Sequence, residues 1–94
     1  MPLHYETQDD TAQVHIDGEL TIYTAAELAA QWLPHLGATP RMALDLSQIT
    51  EMDGAGLQLL LMMQREASRA GTQLTLTGQS KAVTETLALC NLVA

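Results

Sequence analysis

Asp45-Leu46-Ser47-Gln48-Ile49-Thr50-Glu51-Met52-Asp53-Gly54-Ala55-Gly56-Leu57-Gln58-Leu59-Leu60-Leu61 runs from a strand into a helix. Upstream, Met42, Leu44 and Leu46 alternate with Ala43 and Asp45, the period-two pattern of a strand. The small Ala43 on its second face suits a central position in a sheet. Residues 47–53 read as a connecting loop. Asp53 is then a good N-cap: its carboxylate accepts from free amides of the first turn and complements the helix dipole. Gly54 and Gly56 strip side chains from the helix opening and leave backbone amides near the surface. The spacing predicts a helix over residues 54–70, stopped by Gly71.

A helical wheel sorts this helix into two faces. Gly56, Leu60, Met63 and Ala67 point inward. Gln58, Met62, Arg65 and Arg69 point outward, with Ala55 beside them and Leu61 at the flank. An adaptable methionine and a small residue next to bare backbone suit contact with another protein.

Working outward, Ala12, Val14 and Ile16 alternate with Gln13, His15 and Asp17, a half-buried strand that Asp17-Gly18 is expected to break. A short strand around residues 4–7 pairs with it through the turn at Gln8-Asp9-Asp10. Thr24 and Glu27 have the spacing of a capping box. Ala25, Leu28, Trp32 and Leu36 follow at helical intervals, and Pro34 ends that helix near Leu33. Leu74 and Leu76 alternate with threonines in a fourth strand. Ser80 can cap a last helix bearing Val83, Leu87 and Cys90. The order strand, strand, helix, strand, helix, strand, helix implies crossover connections. The expected architecture is α/β: a mixed sheet of four to five strands, mostly parallel with an antiparallel edge, and about three helices packed against it.

Composition bounds the rest. The 94 residues, 47% hydrophobic and 16% charged, form one domain over residues 1–94. With no Phe the core is aliphatic. The net charge is −7. Residues 1–53 hold nine acids and Arg41 alone among bases; residues 54–94 hold two acids against Arg65, Arg69 and Lys81. An acidic chain without a basic patch or stacking aromatics is a poor ligand for nucleic acid or anionic lipid. The single Cys90 excludes an internal disulfide and reads as a buried thiol. The beginning of the chain is not a signal peptide, and the run from Leu57 to Met63 is too short to span a bilayer. A cytoplasmic protein without direct membrane insertion is expected.

The strand ending Asp45-Leu46-Ser47, the helix start Met52-Asp53-Gly54-Ala55-Gly56-Leu57 and the element Gly18-Glu19-Leu20 resemble the STAS domain, the family of anti-sigma-factor antagonists and of the domain attached to sulfate transporters. Order and spacing agree over nearly the whole chain. In sigma-regulating members a serine between the motif Asp and Gly is phosphorylated by a partner kinase. The equivalent positions here are Gly54 and Ala55, which carry no hydroxyl, and Thr21 stands where many members have Asp. A phosphate would add roughly −1.5 to −2 charge at a contact surface; this chain keeps the unmodified form. Ser47 and Thr50 read as turn or capping hydroxyls.

Catalytic signals are thin. His4, His15 and His35 lie on separate elements without an i, i+4 partner, so no metal site is expected. There is no phosphate loop, no nucleophile–base pair, and Asp45 reads as a structural hydrogen-bonding group. No cofactor is implied. The expected function is a non-enzymatic regulatory adaptor that binds a partner protein through Asp53, Gly54, Ala55, Gln58 and Met62, with Tyr23 on the rim. The resemblance implies an anti-sigma factor, a signalling kinase or a chemotaxis-type component as partner. A second expectation is a small STAS subunit of a lipid-trafficking ABC transporter contacting its ATPase, although the threonine usual after the motif Asp in that branch is Gly54. A nucleotide or small-ligand sensor is the minor alternative.

Overall fold

The computed structural model describes residues 3–89, so Cys90 lies outside the described residues. The elements are β1 (Leu3–Gln8), β2 (Thr11–Leu20), α1 (Ala25–Trp32) followed by a 3₁₀ turn at Leu33–His35, β3 (Arg41–Met52), α2 (Gly54–Arg69), β4 (Gln73–Gln79) and α3 (Lys81–Leu89). The four strands form one sheet in the order β1-β2-β3-β4. β1 and β2 pair antiparallel, with Asp9 in the left-handed region at the turn. β2–β3 and β3–β4 pair parallel. This is the expected mixed sheet, with β3 between two neighbours.

The core lies on one side of the sheet. Ala12, Val14 and Ile16 of β2 and Met42, Leu44 and Leu46 of β3 are buried in one cluster with Leu28 and Trp32 of α1, Leu59, Leu60 and Met63 of α2, and Val83 of α3. Fully burying each such aliphatic side chain is worth about 1.5–3 kcal/mol. Trp32, the largest buried side chain, donates its indole N–H to the Met42 sulfur at 3.0 Å. The alternate residues Gln13, Thr75 and Thr77 are exposed and His15, Asp17, Ala43 and Asp45 half-buried, so the second face of the sheet is polar and open.

Three local expectations are corrected. β2 is not broken at Asp17-Gly18; it continues to Leu20 through register shifts on either side, with Gly18 at φ 90° absorbing the distortion. Residues 47–52 are not loop; they extend β3, because parallel pairing of Gln48, Ile49, Glu51 and Met52 with residues 17–20 of β2 gives their backbone a ladder. The capping box at Thr24 and Glu27 does not form. The Thr24 hydroxyl instead donates to the Glu19 carbonyl at 2.9 Å and accepts from the Thr21 amide at 3.1 Å. The other boundaries stand as expected. Pro34 lies in the 3₁₀ turn after α1, Gly71 follows α2 at φ 77°, and Ser80 accepts from the Val83 amide at 3.3 Å.

Gly56 sets the distance between α2 and the end of β2. A Cβ at this position would penetrate the Leu20 carbonyl and press on the Leu20 side chain, whereas a Cβ at Gly54 would meet open space. Gly56→Ala is expected to lower stability by about 3 kcal/mol, the upper end for overpacking, or on the order of 10–20 °C in melting temperature. Glu27→Ala, with no capping box to lose, should stay within about 0.5 kcal/mol of the parent. Thermal denaturation followed by circular dichroism measures both.

Candidate functional site at the entrance of the second helix

Asp53 organises the end of the sheet where β2 and β3 stop. It leaves β3 in an extended conformation (φ −124°, ψ −170°), which turns its side chain back over the first turn of α2. Oδ1 accepts from the Gly56 amide at 3.0 Å, the N-cap bond expected from the sequence. Oδ2 accepts from the Ile22 amide, also at 3.0 Å and 31 positions away in the chain. The Asp53 amide donates to the Leu20 carbonyl at 3.3 Å. One residue therefore fastens the helix entrance to the β2–α1 turn.

That turn is built by Thr21. Its carbonyl accepts from the amides of Thr24 and Ala25 at 3.0 and 2.8 Å, and its hydroxyl donates to the Glu19 carboxylate and accepts from the Tyr23 amide. Thr21 is buried, and burying it thrusts the next two residues outward: Ile22 is 69% exposed and Tyr23 87%. Two large apolar side chains thus stand in water beside a helix entrance where Gly54 is exposed and Ala55 half-buried. Tyr23 and Asp53 also border a cleft of about 390 Å³ toward α3, shared with Glu19, Glu51, Glu85 and Thr86.

Of the residues singled out from sequence, Asp53, Gly54, Ala55 and Tyr23 are brought together at this end of the molecule, and Gln58 is exposed one turn along α2. Met62 is half-buried and packs against the core, while its neighbour Leu61 is 41% exposed and carries more of the outer apolar surface. Sequence reasoning missed Ile22, which has no periodic partner, and the carboxylates of the cleft. The crowding of acids into residues 1–53 was the available sign of the latter. His4 and His15, read as unconnected, are direct partners across the β1–β2 hairpin. Asp45 behaves as expected, accepting from the Ser47 amide at 2.9 Å. That bond above all holds its carboxyl below the usual value, with the Ser47 hydroxyl and His15 adding to it.

The amides of Gly56 and then Ile22 hold the Asp53 carboxyl below its ordinary value of 3.8. A carboxylate depressed on folding contributes stability above its unfolded value and loses it as pH falls through the folded one. Asp53→Asn is therefore expected to melt below the parent at pH 7. The gap should narrow as the pH is lowered beneath the ordinary carboxylate range. Melting curves of both proteins between neutral and strongly acidic pH measure this.

The comparisons with known proteins agree with this geometry. The family model described as "Mlab, STAS domain" matches residues 3–93. An anti-sigma factor antagonist from Mycobacterium paratuberculosis superimposes with a TM-score of 0.83 at 20% identity, over 96% of this chain and 77% of that one. A putative anti-sigma factor antagonist from Thermotoga maritima gives 0.82 at 22% identity, over 96% and 79%. The antagonist SpoIIAA in its unphosphorylated form gives 0.77 at 19% identity, over 96% and 81%, and the phosphorylated form of this Bacillus protein has the same fold. The architecture is that of the anti-sigma factor antagonists. The family model spans nearly the whole chain, and the chain belongs to the STAS domain family.

Proposed function

We propose that this protein is a regulatory adaptor that captures a partner protein through the entrance of α2, using Asp53, Gly54, Ala55 and Gln58 with the half-buried Met62 beneath and Tyr23 on the rim. The observation that carries this reading is the exposure of Ile22 and Tyr23 on a turn fastened by the Asp53 carboxylate to that entrance. Exposed apolar side chains on a rigid turn are costly in a free protein and useful at an interface, where aromatic anchors dominate binding. The turn makes several backbone and side-chain hydrogen bonds, so little ordering entropy is lost on docking.

Gly54 and Ala55 occupy the positions at which a hydroxyl would make the surface switchable. Without one, the contact surface keeps a constant charge, and association is governed by the partner's own state or abundance. In SpoIIAA the same fold exists in phosphorylated and unphosphorylated forms; here the equivalent of the unphosphorylated surface is permanent. No helix of the described residues is long and apolar enough to cross a membrane.

Two partner classes follow. A signalling partner, an anti-sigma factor or related kinase, accords with the structural likeness to anti-sigma factor antagonists. A transport partner, the ATPase of a lipid-trafficking ABC system, is favoured by the description of the matching family model. The apolar turn and bare helix entrance serve either, since both need a protein contact and neither needs chemistry from this chain. A nucleotide ligand is disfavoured at the helix entrance, where the Asp53 carboxylate already occupies the first-turn amides and repels phosphate.

Affinity purification of the intact protein from its own cells, with mass spectrometry of what accompanies it, separates the classes: an ATPase with a permease supports transport, a soluble kinase or sensor supports signalling. Ala55→Asp and Tyr23→Ala should each reduce capture of that partner at least tenfold while leaving the melting temperature close to the parent. Ala55→Asp places an acid in the first turn, where the dipole tolerates it. Equal capture by both variants would remove this surface from consideration. Saturable heat on titration with nucleotide would instead favour the sensor reading.

A further inference from the structure

On the open face of the sheet, away from the helix entrance, His4 and His15 lie directly opposite each other across the antiparallel β1–β2 pair. Their ring centroids are 5.7 Å apart with planes inclined by 49°. Both Nε2 atoms turn toward the same carboxylate: His15 Nε2 is 2.6 Å from Asp17 Oδ1 and His4 Nε2 is 3.2 Å from Asp17 Oδ2. Behind His15, its Nδ1 is 3.3 Å from Asp45 Oδ2, and Asp45 Oδ1 is itself fixed by the Ser47 amide at 2.9 Å.

We propose that His4 and His15 form a two-imidazole chelating site for a divalent transition ion such as Zn²⁺. Three features support it. First, opposed positions on an antiparallel pair hold two side chains on one face at a separation fixed by the ladder, so little chain entropy is lost on closing the chelate. Second, a carboxylate on the far nitrogen of a metal-binding histidine sets the tautomer that frees the other nitrogen's lone pair. Asp45 stands in that place behind His15, 3.3 Å from Nδ1, and orients the ring for an ion at Nε2. Third, the hollow above the pair, lined by His4, Glu6, Gln13, His15 and Asp45, contains carboxylates and neither lysine nor arginine, which favours a cation.

On binding, the ion replaces the contacts of both Nε2 atoms with Asp17, and any proton held on those nitrogens passes to solvent. Imidazole ligands select zinc, copper and nickel over magnesium and calcium, which prefer oxygen. Among the described residues no group of three or more His, Cys, Asp or Glu side chains is arranged to hold a metal ion. The site therefore commits to two protein ligands, with water at the remaining positions and Asp17 accepting hydrogen bonds from that water. Occupancy ties the edge strand β1 to β2 without touching the Asp53 end of the molecule.

Isothermal titration of the intact protein with Zn²⁺ should give saturable one-to-one binding, and Mg²⁺ should give none. His4→Ala and His15→Ala should each abolish saturable Zn²⁺ binding, and Asp45→Asn should weaken it about tenfold. His35→Ala should bind as the parent does, because His35 stacks on Tyr5, whose register partner Val14 faces the core. His4 is an exposed edge-strand residue, so His4→Ala tests the site with the fold intact. Absence of saturable Zn²⁺ heat, binding retained in His4→Ala, or equal loss in His35→Ala would each overturn the proposal.

Discussion

The structure depends on the close approach of Gly56 to the Leu20 carbonyl. A helix packed this tightly against the end of a strand tolerates no side chain at the crossing point, so a glycine there is a steric requirement. The approach also brings the Asp53 carboxylate within reach of two chain segments at once, the first turn of α2 and the amide of Ile22. Helix capping and tertiary fastening become one event. The turn that presents Ile22 and Tyr23 is thereby held against the helix entrance by hydrogen bonds to a single charged group, and bonds to an ionised acceptor are stronger than neutral ones.

The one-sided arrangement of the helices gives the molecule two faces of different character. A parallel sheet is ordinarily covered on both sides. Here the uncovered side is made acceptable by its residues: threonines and glutamines on β4 and β2, histidine and aspartate on β1 to β3, and the small Ala43 at the centre. Large exposed apolar side chains lie elsewhere: Ile22 and Tyr23 beside the helix entrance, and Leu33, Leu61 and Leu89 on the helical side. The acidic cleft next to that entrance adds charge at the same end, so any protein docking there meets carboxylates around an apolar projection.

Much of the fold was legible because its signals are periodic. The alternation of Met42, Leu44 and Leu46 and the spacing of Leu60, Met63 and Ala67 each state which face is buried. Residues 47–52 were misread because Ser47, Gln48, Thr50 and Glu51 look like loop; the ladder to β2 gives them strand geometry whatever their local preference. Thr24 and Glu27 have the spacing of a capping box, yet the Glu19 carbonyl competes for the threonine hydroxyl and wins. The site was legible in half: Asp53 as a cap and Ala55 and Gln58 on the outer face follow from one helix, whereas Met62 turned out half-buried because α2 lies deeper in the core than an isolated wheel implies.

The amino-acid sequence alone determined the order of elements, the inward faces of the strands and of α2, the hydroxyl-free helix start and the acidic charge, because each is a property of residues near one another in the chain. Tertiary structure alone decided that β2 and β3 run on past their apolar segments, that Ile22 and Tyr23 meet the Asp53 entrance, and that His4 faces His15 beside Asp17 and Asp45. Those meetings join segments such as Ile22 and Asp53, 31 positions apart. Their reason is hydrogen-bond register between strands and the steric fit of a helix on a sheet, neither of which is written in any local pattern.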